Sequence, residues 1–261
     1  FIMRALILLA FLFPAFLNAQ NFNLTQRSVV TFPNQSLANV WGYTDGGQEF
    51  ALIGAQLGMQ IYNITDPNNP VYVTTIPGPD NLWKEIKTYN NYAYVVSEGG
   101  WGVQVVNLSG LITNTLPLPY QSVYPVIPGV GTVKSSHALQ VDEAKGYLYL
   151  YGSKLTNNNG VGYPIILNLN STPYTPTYAG KYTVSGYAHD GYVNNDTMFA
   201  SHINLGQFSI INTTNKSNPG IYGPNVTTPN SYTHNTWRTG NTIFTTDETS
   251  DSWLAAFDIT D

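Results

Sequence analysis

The chain holds four histidines, His137, His189, His202 and His234. Three of them precede a recurring strand-like phrase at a similar offset. His137 lies eleven residues before Leu148, His189 nine before Met198 and His234 nine before Ile243. Trp41 and Trp83 stand ten residues before Ala51 and Ala93 in the same frame. Glu98, His202, Asp247 and Glu248 come at or just after the ends of such phrases, and Asp190 adjoins His189. Imidazoles and carboxylates brought together could hold a divalent metal ion or a polar ligand. If each phrase is the second strand of an antiparallel pair, the start of the first strand and the end of the second share one edge. The whole set then meets at one mouth, with Trp41 and Trp83 as its aromatic positions. Asp247 and Glu248 are strand neighbours and point to opposite faces, so they make a poor acid–base pair. A structural reading competes and carries the greater weight: each His bonds a neighbouring connection and locks the repeats together, because buried polar groups must be satisfied.

The elements that would position these residues form a repeat array. Phe50-Ala-Leu-Ile-Gly, Tyr92-Ala-Tyr-Val-Val, Tyr147-Leu-Tyr-Leu-Tyr, Thr197-Met-Phe-Ala-Ser and Thr242-Ile-Phe-Thr-Thr recur at about 48 residues. A second phrase follows each one, as in Gly58-Met-Gln-Ile-Tyr-Asn-Ile-Thr-Asp-Pro and Trp253-Leu-Ala-Ala-Phe-Asp-Ile-Thr-Asp. In the second unit the strands read Glu85–Tyr89, Tyr92–Ser97, Gly102–Leu108 and a weaker Ile112–Leu118, with turns at Asn90-Asn91 and Gly99-Gly100. Matching turns fall at Glu143-Ala-Lys-Gly146, Asn194-Asn195 and Thr239-Gly-Asn241. Four short strands per unit predict an all-β fold, a β-propeller of four-stranded blades. About five blades are expected over residues 39–261, after a lead-in at 20–38. The chain stops midway through the phrase that the first unit completes, so a larger ring is expected, of which this is a fragment.

Composition narrows the function. Lys and Arg total 10 against 15 Asp and Glu, a net charge of -5, which argues against nucleic-acid binding by a basic face. With no Cys, disulfide frameworks and thiolate metal sites are excluded. Residues 1–19 read as a signal peptide: Arg4, then an apolar run, then Leu17-Asn18-Ala19 before a cleavage point. Met3 looks like the translation start. No later stretch is long and apolar enough to span a bilayer. No phosphate-binding Gly-rich loop opens a helix, and there is no Gly-x-Ser-x-Gly elbow.

Several phrases resemble the LVIVD-repeat proteins, specifically the choice-of-anchor B family of exported bacterial propellers. They are Asn39-Val-Trp-Gly-Tyr-Thr-Asp45, Ile61-Tyr-Asn-Ile-Thr-Asp-Pro67, Ile76-Pro-Gly-Pro79, Trp83-Lys-Glu-Ile-Lys87, Ser136-His137, Tyr187-Ala-His-Asp190, Tyr232-Thr-His234 and Asp247-Glu248. The resemblance implies a secreted or surface-displayed protein, further blades, and no established catalytic activity or cofactor. The chain departs from the family pattern at Asn63, Asn107, Asn168 and Ala138.

Two functions are expected from these residues. One is a non-enzymatic binding module for an extracellular glycan or protein. The other is a metal-assisted hydrolase or lyase, with His137, His189 and His234 as ligands of a divalent metal and Asp190 or Glu98 as base.

Overall fold

A computed structural model describes residues 24–157 and 162–260. The apolar leader of residues 1–19 lies outside them. Five antiparallel sheets follow one another along the chain. The first is β1 (Leu37–Asp45), β2 (Gln48–Ala55), β3 (Gly58–Asn63) and β4 (Val71–Pro77), in that order across the sheet. The second is β5 (Lys84–Tyr89), β6 (Tyr92–Ser97), β7 (Val103–Asn107) and β8 (Tyr120–Val123). A small extra sheet combines β9 (Val126–Ile127), β10 (Gly131–Ser135) and β13 (Lys154–Leu155). The third large sheet is β11 (Ala138–Asp142), β12 (Tyr147–Tyr151), β14 (Ile165–Asn168) and β15 (Thr177–Lys181). The fourth is β16 (Asp190–Asn194), β17 (Thr197–His202), β18 (Gln207–Asn212) and β19 (Gly220–Ile221), with β20 (Val226–Thr227) also paired to β18. The fifth is β21 (Thr233–Thr239), β22 (Thr242–Asp247) and β23 (Leu254–Asp258).

Turn chemistry explains the hairpins. Asn90 sits at φ +52° between β5 and β6, a left-handed conformation that Asn tolerates. The turn expected at Asn194-Asn195 falls one residue later. Asn194 still pairs with Thr197, and Asn195 and Asp196 take the positive φ values, +48° and +63°. The fourth strand of the second unit also differs from expectation. Residues 109–114 form turns and 115–119 carry no strand, with the Thr115 N–H donating to the Gly110 carbonyl at 2.8 Å, and the strand is Tyr120–Val123. Pro117 and Pro119 have no N–H to give a ladder, whereas Tyr120–Val123 can pair with β7 along its length.

The period-2 alternation is blurred because most strands are covered on both faces. In β6, Tyr94 and Val96 pack with Leu139, Val141 and Leu148 of the third sheet. Ala93 and Val95 of the same strand pack with Leu52, Met59 and Ile61 of the first. Equivalent clusters join the third sheet to the fourth through Tyr151, Ile166 and Met198, and the fourth to the fifth through Phe199, Phe208 and Ile243. The outward faces of the first and fifth sheets leave Val40 and Leu254 exposed, at 64% and 70%.

Polar locks reinforce these seams. The Lys84 ammonium donates to the carbonyls of Gln56, Pro79 and Asn81 at 2.6–2.7 Å, tying the first sheet to the connection that leads into the second. Asn39 Oδ1 accepts the Ile86 N–H, and Glu85 Oε2 accepts the Leu139 N–H. Each of these links one innermost strand to the next.

Candidate functional site at the axial mouth

The strands β1, β5, β11, β16 and β21 are the innermost of their sheets, and consecutive ones pack on each other. All five begin at the same end of the axis. There, Ala38, Asn39, Trp83, Lys84, Glu85, His137, Ala138, Asp190, His234 and Asn235 line a cavity of ≈ 240 Å³.

Three of the histidines meet at this mouth. The rings of His137 and His189 lie 4.0 Å apart between centroids, and those of His189 and His234 4.8 Å apart. His137 Nδ1 donates to Glu98 Oε1 at 2.7 Å. His189 Nδ1 donates to the His234 carbonyl at 3.3 Å. In both rings the donor nitrogen is engaged, which leaves Nε2 as the free base. One ring nitrogen each of His189 and His234 and a Glu248 oxygen lie within 4.8 Å of one another. That spacing is wider than the roughly 3–3.5 Å edge of a tetrahedral zinc site, so an ion held there would draw the three side chains together. Trp83 stands at the rim, 47% exposed, with its ring 5.9 Å from that of His137.

The other expected mouth residues have different surroundings. His202 is fully buried; its Nδ1 is hydrogen-bonded to the Tyr187 carbonyl at 2.9 Å, and its Nε2 to the Ser209 hydroxyl at 2.8 Å. Both nitrogens are spent, so His202 is a lock. Asp247 is likewise occupied: its oxygens accept the Thr228 hydroxyl and the Asn230 N–H, fixing the loop before β21. Trp41 does not belong to the mouth. It pairs with Leu52 in mid-strand, and its indole N–H donates to Thr88 Oγ1 at 3.0 Å. The ten-residue offset misplaces it because β1 is nine residues long, and Ala51 pairs with Gly42 rather than with a residue near the hairpin turn.

Electrostatics separate the groups further. Burial, then the neighbouring His137 and His234, pull the His189 imidazolium down to about 3. His202 is also lowered by burial, with the Tyr187 carbonyl opposing. Asp190 is pushed up to about 7, first by burial and then by Glu85. Its oxygens accept from the Gly191 N–H and the Asn235 amide, which pull the other way. Glu85 and Asn39, which the sequence reading did not single out, share this cavity; their only signal was a position two or more residues into an inner strand.

A pH dependence follows for the metal-free chain. A histidine depressed on folding contributes stability that is present above its ordinary value of 6.5 and lost as pH falls below it. His189→Gln is therefore expected to gain on the parent chain as the solution is acidified, by roughly 2–3 kcal/mol at about pH 4. Urea midpoints of the two proteins measure this, and a difference that stays constant with pH contradicts a buried neutral ring.

No protein-family model and no curated protein matches the sequence. Solved structures do match in shape. A protein of unknown function from Desulfotomaculum acetoxidans superimposes with a TM-score of 0.60 at 11% identity, over 85% of this chain and 65% of that one. A nidogen chain or its laminin partner, from a nidogen–laminin complex, gives 0.53 at 10% identity, over 85% and 76%. A candidate 6-phosphogluconolactonase of Bacteroides fragilis gives 0.50 at 13% identity, over 74% and 55%. The fold is a β-propeller. The chain spans 65% and 55% of the lengths of the Desulfotomaculum and Bacteroides proteins. Within this propeller the mouth cavity lies where side chains from all five blades converge, which is why residues far apart in sequence share it. Among the described residues, no helix is long and apolar enough to cross a membrane.

Proposed function

We propose that this chain is an exported binding propeller that holds an extracellular ligand at its axial mouth through a divalent transition-metal ion. His189, His234 and Glu248 are the ligands, and His137 stands beside them. The observation that carries the reading is the state of the ring nitrogens. A metal-binding imidazole commonly donates its other N–H to a carboxylate or a backbone carbonyl, which fixes its tautomer. His137 does the first with Glu98 and His189 the second with the His234 carbonyl. A lock would have used both nitrogens, as His202 does. The leader of residues 1–19 supports export, and the LVIVD-like phrases support a place among surface-displayed propellers. The exposed faces around Val40 and Leu254 are where further blades of a larger ring would pack.

A second reading is favoured by Asp190. A buried carboxyl that titrates near neutrality and lines the cavity with His137 and His234 suits a general base. Metal-assisted hydrolysis would then use Asp190 or Glu98 in that role, and the likeness to the candidate lactonase is compatible with it.

Two imidazoles and one carboxylate favour zinc-like ions over magnesium. Zinc chloride is expected to raise the melting temperature of the full chain in proportion to the logarithm of its concentration, and magnesium chloride to leave it unchanged. Equal responses to the two salts, or none to zinc, would remove the metal from the proposal.

A further inference from the structure

A second cavity lies further along the same axis, and nothing in the mouth proposal uses it. It measures ≈ 210 Å³ and is lined chiefly by Trp41, Lys87, Gln140, Glu143, Tyr192 and Trp237. All five inner strands contribute to it, about two residues beyond the positions that line the mouth. The ion pair between Lys87 and Glu85, at 2.7 Å, joins the two layers, since Glu85 lines the mouth and Lys87 lines this cavity.

Its chemistry is distinctive. Tyr192 and Trp237 face it with ring centroids 4.8 Å apart and planes inclined by 54°. Trp237 keeps 46% of its surface exposed, an unusual placement for the largest apolar side chain at a concave site. The remaining ring, that of Trp41, is covered by the Lys87 ammonium at 4.5 Å. Gln140 is only 5% exposed. Its Oε1 accepts the Val141 N–H at 3.1 Å, and its Nε2 has no partner among the described residues. An amide N–H₂ on the cavity wall with no protein partner is left to water or to a ligand.

We infer that this cavity binds a single uncharged pyranose ring. Such a ring presents a C–H face that lies flat on an aromatic surface and equatorial hydroxyls around its edge. Tyr192 and Trp237 supply the surface. Gln140 Nε2, the Thr88 hydroxyl, Asn194 and Glu143 surround it with donors and acceptors. An anion gains little here, because Glu85 already neutralises Lys87. A quaternary ammonium group loses the Trp41 face, which the Lys87 ammonium already covers. The volume admits one ring and excludes a longer buried oligosaccharide. The inference is independent of any metal at the mouth.

Saturation-transfer NMR on the full chain tests it, with the methyl glycosides of glucose, mannose, galactose and N-acetylglucosamine as probes. At least one is expected to bind in the millimolar range, with transfer strongest to its ring C–H protons. Trp237→Ala, at an exposed position, should weaken that sugar at least about tenfold with an unchanged melting temperature. Gln140→Ala should do the same to its affinity, and His189→Ala should leave it intact. Transfer to none of the sugars overturns the inference. So does binding that survives Trp237→Ala, or a cavity that takes tetramethylammonium and no sugar.

Discussion

Asp142→Ala is expected to destabilise the folded chain by roughly 3 kcal/mol, a large fraction of what a domain of this size holds. Asp142 ends β11 and is 1% exposed. Its two oxygens accept the N–H groups of Asn195 and Asp196 at 3.0 and 2.7 Å. Those residues form the β16–β17 turn, and both carry positive φ. One carboxylate therefore clamps the hairpin of the fourth blade to the inner strand of the third. Alanine would leave two donors of a strained turn without an acceptor in a partly buried seam. Asp142→Asn keeps one acceptor oxygen and should cost about half as much. Urea unfolding of the three proteins gives the comparison. A change below about 0.5 kcal/mol for alanine would mean that water replaces the carboxylate and that the clamp is incidental.

The second large effect divides the histidines by role. His202→Ala strands the Tyr187 carbonyl and leaves a cavity inside the fourth blade, and should cost roughly 2–4 kcal/mol while leaving zinc affinity unchanged. His234→Ala removes a partly exposed ring at the mouth. It should cost less than about 1 kcal/mol and weaken zinc binding at least about 100-fold. The two substitutions thus move opposite readouts. Unfolding midpoints and zinc titrations on the same preparations measure both. If His234→Ala lowers stability as much as His202→Ala and zinc affinity is the same in both, the mouth histidines are locks as well.

The repeat was legible because strand-two phrases such as Tyr92–Ser97 are largely buried, so their first position is aromatic or β-branched and their third large and apolar in every copy. The Asn-rich hairpins were legible because positive φ restricts residue choice. Strand four of the second unit was not, since outer strands are half exposed and place few demands on sequence. Convergence of His137, His189 and His234 followed from their shared offset, but the same arithmetic put Trp41 beside them. Offsets measured from strand two ignore the length of strand one, and β1 is longer than its counterparts. The difference between His202 and the other three was invisible in sequence, because it depends on Ser209 and Tyr187 reaching the ring from other segments. Glu85, Lys87 and Gln140 were passed over for a related reason: an isolated polar residue in a strand does not reveal that it faces the axis.

The mouth site is tested most directly by locating zinc itself. Crystals of the chain grown with one equivalent of zinc, measured at the zinc absorption edge, should show a single strong anomalous peak bonded to His189, His234 and Glu248 at about 2.0–2.2 Å. Anomalous density only at surface carboxylates, or a mouth without zinc in crystals that bind it elsewhere, would contradict the proposed site.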